Sequence, residues 1–282
     1  MLAEQRQNLI MAEIERGGGV RVGELAQLLG VSDMTVRRDI DALARRGLVR
    51  KVYGGATAGR RGTSDEPGFE VKSGQEKTAK EMIAATAAGL VPPGGTIAVS
   101  AGTTTYALAA HLAQVQDLTV VTNSVRVADH LFAHGVPSQT VLLTGGQRTP
   151  SDALVGPLAV TAMRGLHVDC LLMGVHGMDP LAGFTTPNLM EADVNRAMAA
   201  SAASLVVLAD HTKWGVTGLC AIAALADADV LVSDAGLGTA AREVIGATVG
   251  KLIIAGGEGP PAAPGPGSPA PAQSGGHPSR SR

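Results

Sequence analysis

Four consecutive residues, Gly102, Thr103, Thr104 and Thr105, stand between an apolar run at 96–99 and a helix-like stretch that opens at Tyr106-Ala107-Leu108-Ala109. A strand, a glycine turn, hydroxyl donors and a helix start together make an anion site. The first-turn N–H groups are unpaired, the helix dipole favours negative charge, and the threonine hydroxyls add donors. Taken alone, Gly-Thr-Thr-Thr is equally an ordinary helix cap. Other apolar runs end in a similar way. Asn123-Ser124 follows 118–122, and Thr144-Gly145-Gly146 follows 140–143. Polar and glycine residues at the carboxyl ends of several strands are where open α/β sheets bind ligands.

A second set of chemical groups lies near the start of the chain. Val36, Ile40 and Leu43 recur at i, i+4 and i+7, the buried stripe of a helix that Ser32 or Asp33 can cap. On that helix Arg38 and Arg45 point away from the stripe, with Thr35 and Arg37 on its flanks. Arg forks match guanine or phosphate, and Ser and Thr reach either, so such a face suits the major groove of DNA. Downstream, 47–55 alternates apolar and basic residues and closes on Gly54-Gly55. It reads as a β-hairpin wing with Arg50 and Lys51 near the DNA backbone. The plain alternative is a solvated basic face on a surface helix.

These groups need elements to carry them. Residues 5–15 place Leu9, Ile10 and Ile14 on one helical face, and Gly17-Gly18-Gly19 ends that helix. A second helix over 23–29 turns Leu25, Leu28 and Leu29 inward, and Gly30 is suited to the left-handed residue that closes it. Short helix, glycine turn and basic helix form a helix-turn-helix. From 76 to 255, apolar runs at 96–99, 118–122, 140–143, 170–173, 205–208, 230–233 and 251–254 alternate with Ala-rich amphipathic stretches. That is the pattern of βαβ units around a mostly parallel sheet. The fold class is therefore α/β: a winged helix-turn-helix (1–56), a linker (57–75), an open-sheet domain (76–255) and a disordered Pro/Gly/Ala/Ser tail (256–282).

Composition sets further bounds. Of 282 residues, 45% are hydrophobic and only 2% aromatic, so the core must be built from Ala, Val, Leu and Ile. The total charge is −2, but 1–61 carries 11 Lys/Arg against 7 Asp/Glu, a net +4 that leaves about −6 elsewhere. One basic module on an acidic protein is the footprint of a nucleic-acid contact. The first fifteen residues carry charges throughout, with no long apolar run before a cleavage site, which reads as a cytosolic chain without a membrane span. Cys170 and Cys220 lie far apart, and neither they nor the seven histidines show metal-ligand spacing. No GxGxxG follows the first strand of the large domain, which argues against a nicotinamide cofactor. Neither a metal nor a cofactor is expected.

The segment Gly30-Val31-Ser32-Asp33-Met34-Thr35-Val36-Arg37-Arg38-Asp39, followed by Gly47-Leu48-Val49-Arg50-Lys51-Val52-Tyr53-Gly54-Gly55-Ala56, resembles the signature of the DeoR/GlpR family of transcriptional regulators. The resemblance runs to about Ala255. It implies that Ser32, Thr35, Arg37 and Arg38 in the helix, and Lys51, Tyr53, Gly54 and Gly55 in the wing, contact double-stranded operator DNA. It also implies an effector domain like ribose-phosphate isomerase that takes a phosphorylated sugar. Gly102, Thr103, Thr104 and Thr105 then form the anion loop, with Asn123, Gly145, Glu191 and Lys213 as pocket members. In that pocket Lys213 offers a cation and Glu191 an acceptor for hydroxyls, although each reads equally well as half of a surface ion pair. Two departures stand out. Ser100-Ala101 replaces the family's Asp-Ser before the loop, and Asn195 stands where a Lys is frequent, which together imply an altered effector preference. The expected function is a repressor of carbohydrate-metabolism genes acting as a homo-oligomer, its interface supplied by the Ala-rich domain. The alternative is a sugar-phosphate isomerase with a DNA-binding appendage.

Overall fold

The computed structural model of the chain describes residues 2–17, 19–46, 48–52, 54–58 and 68–256. Tyr53, residues 59–67 of the expected linker and the expected tail from 257 onward lie outside them. The N-terminal module runs α1 (Ala3–Gly17), β1 (Gly19–Arg21), α2 (Val22–Leu29), α3 (Asp33–Arg45), β2 (Val49–Val52) and β3 (Gly55–Ala58). The three strands form an antiparallel sheet in the order β1-β3-β2, so the wing is a hairpin backed by a third strand. Ile10, Ile14, Leu25, Val36, Ile40 and Leu43 share one core. The inward placement of Leu28 does not hold, and Leu9 does not share the buried face of Ile10 and Ile14. Both are largely exposed, because each helix of so small a module has only one narrow stripe to bury.

Two helices lead into the large domain, α4 (Phe69–Ser73) and α5 (Lys77–Ala88). The first lies within the segment read as linker, and its Phe69 is buried. There follow β4 (Thr96–Val99), α6 (Thr103–Leu112), β5 (Thr119–Thr122), α7 (Val125–His134), β6 (Thr140–Leu143), β7 (Gln147–Arg148), β8 (Leu154–Val155), α8 (Pro157–Arg164) and β9 (Cys170–Gly174). The remainder is β10 (Gly177–Asp179), β11 (Gly183–Thr186), α9 (Leu189–Ser201), β12 (Leu205–Leu208), β13 (Cys220–Ala223), β14 (Val230–Asp234), α10 (Thr239–Gly246) and β15 (Lys251–Ala255).

All seven apolar runs become strands of one parallel sheet, ordered β15-β14-β12-β9-β4-β5-β6. Alternate residues serve opposite faces. Ile97, Val99, Val120, Leu172 and Val206 meet α5, α6 and α7, whereas Ala98, Val121, Leu171, Met173 and Val207 meet α8, α9 and α10. Burial on both faces is what continuous apolar strands of a parallel sheet require. The short antiparallel pairs, β7 with β8 and β10-β11-β13, give no run of apolar residues long enough to be read from sequence.

The chain starts the sheet at β4, winds outward through β5 to β6, and then returns to the other side of β4 as β9. The winding direction reverses between β4 and β9. A crevice opens at the carboxyl ends of strands at such a switch point.

Candidate functional site

In the N-terminal module, Gly30 takes a left-handed φ of 62° and closes α2. Ser32 then caps α3, its Oγ accepting from the Thr35 N–H at 3.3 Å while the two hydroxyls share a hydrogen bond of 3.0 Å. Arg38 and Arg45 are exposed on the face opposite the buried stripe, and Arg37 is exposed on its flank. Lys51 reaches back to Asp41 of α3 in a 2.5 Å ion pair, which joins wing to helix. That charge holds Asp41 below the usual carboxylate range. The glycines of the wing have structural reasons. Gly54 takes φ 77° and its carbonyl accepts from Val22 N at 2.9 Å, while any side chain at Gly55 would run into the Val20 carbonyl.

One residue of this module escaped the sequence reading. Asp39 is buried, three positions beyond Val36 on the apolar stripe, and accepts from Arg6 Nε (2.7 Å) and Nη2 (3.2 Å) on α1. An acid set into an apolar stripe was the available signal.

In the large domain, Gly102 to Thr105 lie where β4 passes into α6, at the switch point. Thr105 is fully buried and its Oγ1 donates to the Gly102 carbonyl at 3.0 Å. The first-turn N–H groups of α6 have no intrahelical partner. Ser100 is also fully buried, and its Oγ accepts from Gly174 N at 3.0 Å, stitching the ends of β4 and β9 together. Asn123 is buried and engaged with the backbone on both sides of its amide. Its Oδ1 accepts from Ala101 N (2.8 Å) and its Nδ2 donates to the Leu154 carbonyl (3.2 Å), so it braces the loop against β8. Gly145 has φ 73° and precedes Gly146, whose missing side chain lets the chain pass the Val155 backbone. Both serve the turn into β7. Glu191 accepts from Thr149 Oγ1 (3.2 Å) and Thr186 Oγ1 (3.1 Å), and is thereby linked through the β7–β8 hairpin to Asn123 and the loop. Asn195 is buried in α9, one turn beyond Glu191.

Lys213 follows β12, the strand next to β9, and stands 3.7 Å from Asp210. The Asp210 side chain is fully buried; its Oδ1 accepts from Thr212 N and Oγ1, while Oδ2 has no hydrogen-bond partner. Packed near this pair is Lys80 of α5, only 4% exposed, whose Nζ donates to the carbonyls of Lys72 and Gln75, both at 2.6 Å. Burial and the nearby Lys213 charge lower its pKa to about 8. Lys72 in turn donates to Ser151 at 2.7 Å. Lys72, Lys80 and Asp210 are thus site residues the sequence reading did not assign. Lys80 carried a signal, since it occupies the apolar stripe of α5 with Ile83, Ala84 and Ala87. Beside them His211 donates from its backbone N–H to Asp234 (2.7 Å), and its ring contacts the same carboxylate at 2.8 Å. Burial alone would raise the Asp234 pKa, but the N–H groups of His211 and Gly236 outweigh it and the carboxyl sits low. Among the described residues no group of three His, Cys, Asp or Glu side chains is disposed to hold a metal ion.

The family model described as the DeoR C-terminal sensor domain matches residues 75–235, and that of the DeoR-like helix-turn-helix domain matches 6–61. The chain belongs to the DeoR family. Its DeoR-family relatives are regulators: the HTH-type transcriptional regulator GlpR of Haloferax volcanii is 34% identical over 87% of this chain and 95% of that protein. The HTH-type transcriptional repressor CsqR of Escherichia coli is 34% identical over 80% of this chain and 85% of its own length. This DeoR-family chain is accordingly a transcriptional regulator with a helix-turn-helix DNA-binding module. Among solved structures, ribose 5-phosphate isomerase A of Methanocaldococcus jannaschii overlaps 50% of this chain and 55% of its own at 14% identity, with a TM-score of 0.36. A likeness of that size says nothing about activity. Among the described residues no helix is long and apolar enough to cross a membrane.

Proposed function

We propose that the protein represses carbohydrate-metabolism genes and releases its operator when a phosphorylated sugar or related small anion binds the sensor domain. The observation that carries this reading is the position of Gly102–Thr105. A helix N-terminus with threonine hydroxyls opens at the switch point between β4 and β9, and the Lys213–Asp210 pair, with Lys80 of α5 close by, follows β12, the strand beyond β9. Unpaired N–H groups and fixed cations are what a phosphate requires. Glu191, held by two threonines, supplies acceptor oxygens suited to sugar hydroxyls. On the DNA side, Ser32, Thr35, Arg37 and Arg38 enter the major groove, while the wing carries the backbone contact. The reading is of a sensor and not of an isomerase, in keeping with relatives named as regulators.

Thermal-shift screening of the full chain against sugar phosphates and polyol phosphates tests it, followed by operator binding with and without each hit. A ligand bound only by the folded state raises Tm by mass action, and linkage requires that it lower operator affinity by the factor with which DNA lowers its own. A hit that leaves operator affinity unchanged at saturation refutes the switch. The buried Ser100 predicts a non-standard preference. Common sugar phosphates that bind tightly, with Ser100→Asp altering nothing, would refute that part alone.

A further inference from the structure

The two edges of the parallel sheet are finished differently. At one edge, β15 is packed by α5 and α10, has Ile253 and Ala255 buried, and begins with an exposed lysine, Lys251. Charge and cover are the usual protection of an open edge. At the other edge β6 is covered by α7 on one face but carries no charge. Its sequence, Thr140-Val141-Leu142-Leu143, is uncharged, and among the described residues it hydrogen-bonds only to β5. Leu142 and Leu143 are 44% and 46% exposed. Because successive residues of a strand face opposite sides, each face of the sheet keeps a half-exposed leucine at this edge.

Helix α7, which lies over β6, continues the patch. His130 meets Tyr106 of α6 at 6.0 Å, so that flank of α7 faces inward along the layer. Phe132 is two residues on, about 200° around the helix at 3.6 residues per turn. It therefore occupies the outer flank, above the free edge, and is 91% exposed.

We infer that this edge is the contact between two copies of the chain, β6 lying antiparallel to its counterpart across a two-fold axis normal to the sheet. The inference rests on the reading that the regulator works as more than one copy, and it assigns the surface. Three features select a second copy as the occupant. The strand meets itself without any like-charge conflict, since it carries no charge. Pairing of one edge with itself uses up that edge on both copies and closes at two, whereas pairing β6 with β15 would build an open filament past Lys251. Each chain brings one DNA-reading helix, and a two-fold axis supplies the pair that symmetric half-sites require.

An axis normal to the sheet keeps residue 142 and its counterpart on the same face and close together, so a charge there repels its own copy. The test is the molar mass of the full chain by light scattering, without DNA or effector. It compares wild type, Leu142→Lys, Leu142→Glu, and the two variants mixed in equal amounts. Wild type is expected at an even multiple of 28.5 kDa. Each variant is expected at half the wild-type mass, and the mixture is expected to return to it. Leu142 is half exposed, so the far-UV circular dichroism of each variant should stay that of the wild type, whatever Tm is lost with the contact by mass action. If either variant loses native dichroism, Phe132→Lys and Phe132→Glu, at a nearly fully exposed site, take their place. A monomeric wild type, variants that keep the wild-type mass, or a mixture that fails to recover overturns the inference. Since neither DNA nor sugar is present, such a failure leaves the DNA-reading and sensing proposals standing.

Discussion

The DNA-reading module and the sensor domain prepare their sites in opposite ways. In the module, Arg37 and Arg38 project from a single helix into solvent, and the fold beneath them depends on other residues: Val36, Ile40, Leu43 and the Asp39–Arg6 clamp. In the sensor, the groups around the switch point are already engaged with one another. Ser100 takes Gly174, Asn123 takes Ala101 and Leu154, Glu191 takes two threonines, and Lys80 takes two carbonyls. A reading surface of exposed side chains can change specificity without touching stability. A site made from buried, mutually bonded groups ties ligand preference to the fold, because every substitution leaves a partner unsatisfied.

The sharpest attack on this contrast is at Lys80. Its folded pKa, about 8, lies below the ordinary lysine value of 10.5. Below pH 8 the group is charged in both states and the folded form carries the whole burial cost. Between 8 and 10.5 the unfolded chain binds more protons, so stability rises with pH. Relative to Lys80→Met, wild type should therefore gain at most about 3 kcal/mol across that window, measured by urea unfolding at stepped pH. A flat difference would mean that the sensor site is under no such load, and the contrast would fail.

Next in size is Arg38→Ala, expected to weaken specific operator binding by roughly 1–3 kcal/mol if Arg38 reads a base. Its stability should stay within about 0.5 kcal/mol of wild type. Fluorescence anisotropy with specific and scrambled DNA checks both roles, because an equal loss on every sequence marks a phosphate contact. Thr105→Val, by contrast, should cost stability of about 1 kcal/mol through the lost bond to the Gly102 carbonyl, and should weaken effector binding in the same variant. Unaltered stability there would remove the coupling claimed for the sensor.

The smallest effect concerns the docking of α4. Phe69 packs edge-on against Tyr106 at 5.5 Å, Tyr106 against His130, and His130 stacks on His134 at 4.5 Å. Arg126 covers Phe69 and pairs with Glu70 and Asp152. Burial, and then the charge of His134, lower the His130 pKa. As pH falls through 6.5 the unfolded state therefore takes up its proton first, and stability declines. Protection factors at 69–73, with the intrinsic pH dependence of exchange divided out, should fall between pH 7 and 5 in wild type and less so in His130→Phe.

Much of this was legible in the sequence because it is local. The stripe Val36-Ile40-Leu43, the left-handed Gly30 and the Ser32 cap depend on neighbours within a few residues. All seven strands of the parallel sheet show as apolar runs, because burial on both faces admits little else. The helix inside the expected linker did not show, since Phe69 is ordered by Tyr106 and Arg126, partners far along the chain.

The sequence by itself determined the two-part plan, the basic helix of the helix-turn-helix and the Gly-Thr-Thr-Thr turn into α6, each written in contiguous residue types and their periodicity. Tertiary structure alone decided the strand order that brings the loop of β4 beside β9. It also gave Asn123 a bracing role and Gly145 a turn, gathered Lys80 with Asp210 and Lys213, and left β6 at an edge of the sheet. These depend on which strands become neighbours, and strand order is set by how the whole set of apolar faces can be buried at once, a property that no single segment contains.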